Sequence, residues 1–260
     1  FASPDARKLL PETTLTQGFS KKAKEDRFTM IKHQHRMNEE ISAFSRNEFY
    51  NGEALKDANT IKERNEKYPF EYRKSRKRSV WLDVASTINS SENKKEIAAI
   101  KEILQDFIDW ARQNPPPKNN DNRDDKQRWE VALLSPYQAQ RRGLRDMVRT
   151  LTGMQFETRF DLLQMKNPSN VMIVVNSSDR FQGQEADVVF ISLRNGSRIG
   201  FLDSPSRMNV AITRARELRI IVGNHEYFSG KMERPYCYDP MLRNLAKSHK
   251  GMSIERPRRR

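Results

Sequence analysis

With one cysteine, Cys237, in 260 residues, the chain can form no internal disulfide and no cysteine-rich zinc site. Histidine is nearly as sparse: His33, His35, His225 and His249 show no metal-ligand spacing, so no metal site is expected, although His33 and His35 lie two apart and can share one face of a strand. No apolar run approaches the roughly 20 residues needed to cross a bilayer, and the opening FASPDARKLL has no signal-peptide hydrophobic stretch. Neither a membrane partner nor secretion is expected. The single cysteine suits a reducing interior, cytoplasmic or, in a eukaryote, nuclear. No internal repeat is found. Since the chain opens on Phe1 rather than Met, it reads as a piece of a longer one.

What the chain has in abundance is positive charge. Its 48 Lys and Arg outnumber 34 Asp and Glu, giving a formal net charge of +14, with a mean hydropathy of -0.89. A cationic surface attracts polyanions by Coulomb steering and counterion release, so nucleic acid is the natural partner; a merely solubilising surface has the same composition. Two dense runs, Arg73, Lys74, Arg76, Lys77 and Arg78, and the tail at 256–260, suit nonspecific backbone contact as well as a solvated loop and tail. The hydrophobic fraction of 36% falls in compact runs and can fill a core.

Those runs order the chain. Residues 1–26 are polar and mixed and read as a connecting arm. FTMIK, from Phe28, is a short strand candidate, and Asn38 can cap a helix bearing Ile41, Phe44 and Phe49, ended by Asn51-Gly52. Residues 56–79 lack periodicity and read as a loop insertion. VWLDV at 80–84 is a strand; Ser91 or Asn89 can cap the next helix, whose Ile97, Ile100, Leu104, Phe107, Ile108 and Ala111 form one stripe. A polar, proline-led linker at 114–128 leads to the strand WEVALLS and a helix over 137–150. VMIVV at 171–175, DVVFISL at 187–193 and RIIVG at 219–223 are further strands, and 231–260 is a basic C-terminal segment. Short, doubly buried strands alternating with amphipathic helices predict an α/β fold with a mainly parallel sheet flanked by helices.

In such sheets ligands sit beyond the carboxyl ends of the strands, and three polar clusters are expected there: 33–37, 177–185 and 207–216. A helical wheel over the third buries Met208, Ala211, Ile212 and Ala215 and sends Arg207 and Arg214 to one flank, Asn209 and Arg216 to the other, so the two arginines of TRAR face different partners. Spacing alone is equally met by ordinary surface cations. Gly183 permits a tight turn or a close ligand approach, while Glu185 and Asp187 can accept from ribose hydroxyls or merely start a strand.

In order, HQHRM, SPYQAQ, SSDRFQGQEADVVFISL and RMNVAITRAR followed by LRIIVGN resemble motifs IV to VI of superfamily 1 helicases, nearest to the up-frameshift group of 5′ to 3′ translocases. The resemblance covers about residues 28–228. It implies a RecA-like second motor domain over 27–230, with the arm at 1–26 leading back to a first motor domain of the same protein. It also implies that Arg36 and Arg214 reach the ATP γ-phosphate, and that His35 stacks on adenine where the family has Tyr. Gly183 and Glu185 would approach the nucleotide and its ribose, Ser135, Pro136 and Tyr137 would hold single-stranded DNA or RNA, and Gln182 would couple the two sites. No G-x-x-x-x-G-K-[ST] phosphate loop and no Asp-Glu magnesium motif occurs in the chain, so ATP and Mg are expected to be held mainly by the first motor domain. The competing reading is a catalytically inert nucleic-acid-binding module derived from a helicase; arginines kept for a γ-phosphate speak against it.

Overall fold

The computed structural model describes residues 32–50, 55–72, 77–85, 91–117, 128–153, 162–164, 170–194, 204–230, 240–249 and 254–255. In chain order their elements are β1 (His33–Gln34), α1 (Glu39–Tyr50), β2 (Lys56–Asp57), α2 (Asn59–Lys67), β3 (Ser79–Asp83), α3 (Lys94–Gln113), β4 (Trp129–Leu134) and α4 (Gln138–Thr152). There follow β5 (Leu162–Gln164), β6 (Val171–Asn176), β7 (Ala186–Ser192), α5 (Pro205–Ile212), β8 (Ala215–Gly223), α6 (His225–Phe228), α7 (Pro240–Ser248) and β9 (Ile254–Glu255). Seven strands form one sheet in the order β5-β6-β4-β7-β8-β3-β9, parallel throughout except for the β5–β6 pair; β1 and β2 form a separate parallel pair. This is the RecA-like α/β architecture.

The central strands are apolar on both faces because both faces are covered. In β7, Val188 and Phe190 enter one core with α3 and α4, while Val189 and Ile191 enter the other beside α1, α5 and α7. In β4, Val131 and Leu133 divide from Ala132 and Leu134 in the same way. The α3 stripe is buried along its length, from Ile97 to Ala111.

Several elements differ from their sequence signals. The arm at 1–26 and the strand candidate FTMIK, as far as residue 31, lie outside the described residues; just after them the two-residue β1 pairs with β2 outside the main sheet, and His35 lies beyond it. The expected loop at 56–79 contains β2 and α2; with Ile61 its sole buried residue, α2 has no apolar stripe to read. The cap of α3 is Asn93, whose Oδ1 accepts from the backbone N–H groups of Lys95 and Glu96. The helix of the third cluster stops at Ile212, and β8 starts at Ala215 rather than Arg219, so the helical wheel fails beyond Thr213. Asn38 does open α1, its Oδ1 accepting from the Glu40 N–H at 3.0 Å. The turn at Asn51-Gly52, most of the linker at 118–127, Cys237, Arg73, Lys74, Arg76 and the tail at 256–260 lie outside the described residues.

The connection from β6 to β7 decides where the site falls. Both strands run parallel to β4, yet nine residues, 177–185, carry the chain from the carboxyl end of β6 to the amino end of β7 without a helix. Phe181, 2% exposed, pins this strap to the core, and Gly183 closes its turn at φ 84, a conformation that costs a side chain but not glycine. The strap spans the sheet from edge to edge.

Candidate functional site

At the amino ends of β7 and β8, Ala186 is paired with Ala215 and donates its N–H to the Arg214 carbonyl at 3.1 Å. The residues just before these strands, Glu185 and Arg214, are therefore side by side. Arg36 reaches the same point: its Nε pairs with Glu185 Oε2, and its Nη1 donates to the Thr213 carbonyl at 3.2 Å. Arg214 donates from Nε to the Val210 carbonyl at 2.7 Å, from Nη1 to the Gln184 carbonyl at 3.2 Å and from Nη2 to Thr213 Oγ1 at 3.4 Å. Burial and the neighbouring positive charge of Arg36 lower the Arg214 pKa, against the pull of Glu185. Arg214 thus donates only to neutral acceptors among the described residues, and its guanidinium, beside Arg36, gains from an added anion.

Arg36 is held in place by Gln34 of its own HQHRM motif and by residues outside the motifs. Gln34 Oε1 accepts from the N–H groups of Arg36 at 3.0 Å and Met37 at 2.8 Å, and Gln34 Nε2 donates to the Met37 carbonyl and to Asp57. From α2, Arg64 donates to the Arg36 carbonyl at 3.1 Å and pairs with Glu217 of β8 at 3.2 Å. The Asn38 N–H donates to the Arg216 carbonyl at 2.8 Å, tying the loop to β8.

Arg216 underlies the cluster. Its guanidinium meets Glu130 at 2.6 Å, Asp187 at 2.9 Å and Glu185 at 3.1 Å. Burial alone would lower its pKa, but these carboxylates raise it instead. Burial would likewise raise Glu185, yet the hydrogen bonds and charges of Arg36 and Arg216 outweigh that and hold its carboxyl below the ordinary range. Arg214 and Arg216 do have different partners, but because one precedes a strand and the other lies in it, not because a helix separates them.

The expectation that all three clusters occupy the carboxyl ends of the strands is met only in part: Ser177 and Ser178 directly follow β6, and Arg207 and Met208 lie with Ser135 and Pro136 at that edge, but the strap and the early end of α5 carry Glu185 and Arg214 to the amino edge, where Arg36 meets them. At the opposite, carboxyl edge stand Ser135, Pro136 and Tyr137, directly after β4. Ser135 is buried and its N–H donates to the Asn176 carbonyl at 3.1 Å; Arg141 Nη1 binds the carbonyls of Ser135 at 2.9 Å and Pro136 at 2.8 Å. Tyr137 is half-buried under the Arg194 guanidinium, 4.0 Å from the ring centre, and burial is the first cause of its raised pKa. Gln182 and Gly183 are exposed on the strap, and His35 is exposed with Nδ1 3.2 Å from Thr60 Oγ1. The structure thus joins Arg36, Glu185 and Arg214, keeps His35 one residue away, and sets Ser135, Pro136 and Tyr137 apart from them.

Arg194 was missed in the sequence. Its φ of 44 is one of two positive values on non-glycine residues among those described, and its N–H is fixed at 3.0 Å on the buried carboxylate of Glu96. No short-range pattern marks a left-handed arginine. Arg216 was legible as a charged neighbour in TRAR, but its three carboxylates come from positions 130, 185 and 187 and could not be assembled from spacing.

A family model described as an AAA domain matches residues 12–226. The chain belongs to this family. Among its relatives are the DNA polymerase alpha-associated DNA helicase A of Saccharomyces cerevisiae, 29% identical over 78% of this chain and 28% of that protein, and the regulator of nonsense transcripts 1 homolog of Drosophila melanogaster, 29% identical over 74% and 15%. A putative ATP-dependent RNA helicase of S. cerevisiae is 30% identical over 75% of this chain and 19% of that protein. The chain thus spans less than a third of each of these relatives. Among solved structures, the C-terminal domain of a possible DNA helicase from Lactobacillus plantarum WCFS1 is similar with a TM-score of 0.42 at 13% identity, covering 86% of this chain and 99% of that one. The family and the relatives identify an up-frameshift-like superfamily 1 helicase domain, and no helix among the described residues is long and apolar enough to cross a membrane.

Proposed function

We propose that this domain is the second motor half of an ATP-dependent helicase or translocase that moves on single-stranded DNA or RNA. The observation that carries this reading is the meeting of Arg36 and Arg214, 178 positions apart in sequence, on Thr213 and Glu185 at one edge of the sheet. A phosphoryl group in transfer gathers negative charge, and planar guanidiniums fixed beforehand stabilise that charge without reorganisation. ATP and Mg bound to the first motor domain supply the reacting phosphate; here Arg36 and Arg214 offer donors to it, Glu185 and Gly183 flank the nucleotide, and His35 lies against the base. Ser135, Pro136 and Tyr137 form part of the strand track. The strap, with Gln182 on it, joins that track to the arginines. Either outcome of ATP turnover at one edge can thereby alter grip at the other.

The test uses the complete protein. Arg36→Ala and Arg214→Ala should each lower turnover by about 10³ while binding of ATP and of nucleic acid weakens far less, the pattern of a group acting in the transition state. Lys at either position should not rescue, since it lacks the planar fork. Unchanged turnover in Arg214→Ala would sink the assignment.

A further inference from the structure

A second cationic group lies on β8 beside the amino end of β3. Arg219 of β8 is 1% exposed, and among the described residues no carboxylate pairs with it. Its Nε and Nη2 donate to Ser79 Oγ at 3.1 and 2.8 Å, and its Nη1 to the Ile212 carbonyl at 2.9 Å. A guanidinium has five N–H groups, and these bonds engage three of them. Among the described residues no carboxylate is hydrogen-bonded to it; the acidic groups of the adjoining cleft, Glu40 and Glu48, are engaged elsewhere. Ser79 Oγ lies 2.7 Å from His249 Nε2, while His249 Nδ1 is 2.8 Å from the Leu245 carbonyl, so Nδ1 carries the proton and Nε2 accepts from the serine hydroxyl. Burial and the charge of Arg219 push the His249 pKa down to about 4, which keeps the imidazole neutral. Burial pulls Arg219 itself down to about 9. A buried cation without a counter-charge is unusual, because desolvation is costly unless an opposite charge offsets it.

This cation forms part of the wall of an open cleft of about 700 Å³ between α1, β3 and the end of α7, with Ser79, Ser248, His249 and Lys77 around it. Glu40 and Glu48 also line the cleft. Glu40 is engaged by the Arg78 N–H at 3.0 Å and by Lys77 Nζ at 4.0 Å, and Glu48 accepts from Asn244 Nδ2 at 3.1 Å. We propose that the cleft binds a small oxyanion, phosphate or a phosphate monoester, drawn by Arg219 and held by the Lys77 ammonium, with Phe44 as an apolar wall for an ester group; the Ser248 hydroxyl, which donates to the Leu245 carbonyl at 2.7 Å, lines the cleft without donating to the anion. This site is separate from the arginine pair at the amino edge and does not depend on the motor reading.

Thermal unfolding of the complete protein, in inorganic phosphate and in chloride at matched ionic strength, tests this. Phosphate should raise the midpoint saturably beyond chloride, as a ligand of the native state does. Phenyl phosphate should reach half-saturation at a lower concentration than inorganic phosphate; equal values reject the Phe44 wall and leave inorganic phosphate as the ligand. Because the motor reading supplies other phosphate sites, the decisive quantity is the difference between wild type and Arg219→Met, in which this component should vanish. Lys77→Ser, on the exposed rim, should raise the half-saturating phosphate several-fold. An identical phosphate response in wild type and Arg219→Met overturns the proposal, as does a wild type that responds to phosphate no more than to chloride. If Arg219→Met does not fold, an unchanged half-saturation in Lys77→Ser overturns it.

Discussion

The two edges of the sheet solve the problem of placing polar groups in opposite ways. At the amino edge, Arg36, Arg214 and Arg216 stand against Glu130, Glu185 and Asp187, charge facing charge, and the side chains of the ion pairs are 14% to 37% exposed. At the carboxyl edge, beneath the half-buried Tyr137 and Arg194, the polar side chains form a sealed and mostly neutral network. Gln140 Oε1 accepts from the Asn93 N–H at 2.6 Å, its Nε2 donates to Ser192 Oγ at 2.9 Å, and Ser192 donates to the buried Glu96 at 2.6 Å. The difference teaches which edge can exchange partners. An ion pair of modest exposure can trade a carboxylate for a phosphate at little net cost, whereas a sealed network closed on one buried carboxylate loses a hydrogen bond outright if it opens. The amino edge is built for exchange and the carboxyl edge for a fixed shape.

The strongest way to break this contrast is Arg216→Ala. It would leave three carboxylates facing one another with only Arg36 and the neighbouring Arg214 to offset them, and removal of one partner from a largely buried ionic cluster costs about 3–5 kcal/mol. Chemical denaturation of the complete protein should show that loss in the transition that reports this domain. Arg214→Ala, whose guanidinium is held by carbonyls and a hydroxyl, should cost far less stability while costing more turnover. Equal destabilisation by the two would mean that Arg216 is not the support of the cluster.

How much of this was legible follows from the range of each signal. The doubly buried strands, the α3 stripe and Asn38 as the opening of α1 could be read because their patterns close within a few residues. The edge on which the site lies could not. It depends on a parallel connection made by nine residues, 177–185, where a helical crossover is the rule, and on α5 ending at Ile212 while apolar spacing continues through Ala215. The helix α2 was read as a loop because tertiary contacts through Ile61 and Arg64, rather than a stripe, hold it.

Acid should separate the edges further. Glu185 has its carboxyl held below the ordinary range, so the stability it contributes is present above the unfolded-state value and is lost as pH falls through the lower folded-state value. Hydrogen exchange at the first residues of β7 and β8 should therefore accelerate below the usual carboxylate range, ahead of exchange at the ends of β4 and β6. Glu185→Gln should flatten that pH dependence. Simultaneous opening of both edges would show that the charge at the amino edge is not what sets its acid stability.

Tyr137 probes the carboxyl edge alone. Its ring is stacked beneath Arg194 and is expected to carry part of the strand track, so Tyr137→Ala should weaken single-stranded nucleic-acid binding by roughly tenfold, the scale of one stacking contact. Turnover at saturating nucleic acid should stay near wild type, in contrast to Arg36→Ala. A binding isotherm that does not shift would remove Tyr137 from the track.

The smallest expected effect belongs to His35, beside Arg36 yet exposed, with Thr60 Oγ1 3.2 Å from Nδ1. An imidazole covers less of an adenine ring than a phenol does, so its stacking should be worth less than that of the Tyr expected from the family resemblance. His35→Tyr should lower the Michaelis constant for ATP by a few fold, and His35→Ala should raise it by a similar factor, both with kcat little changed, because a base contact is made equally in the ground and transition states. This split distinguishes it from Arg36, one residue along the same loop, whose loss should fall on kcat. If His35→Tyr and His35→Ala give the same Michaelis constant, His35 does not stack on the base, and the nucleotide end of the amino edge is then confined to Arg36, Glu185, Gly183 and Arg214.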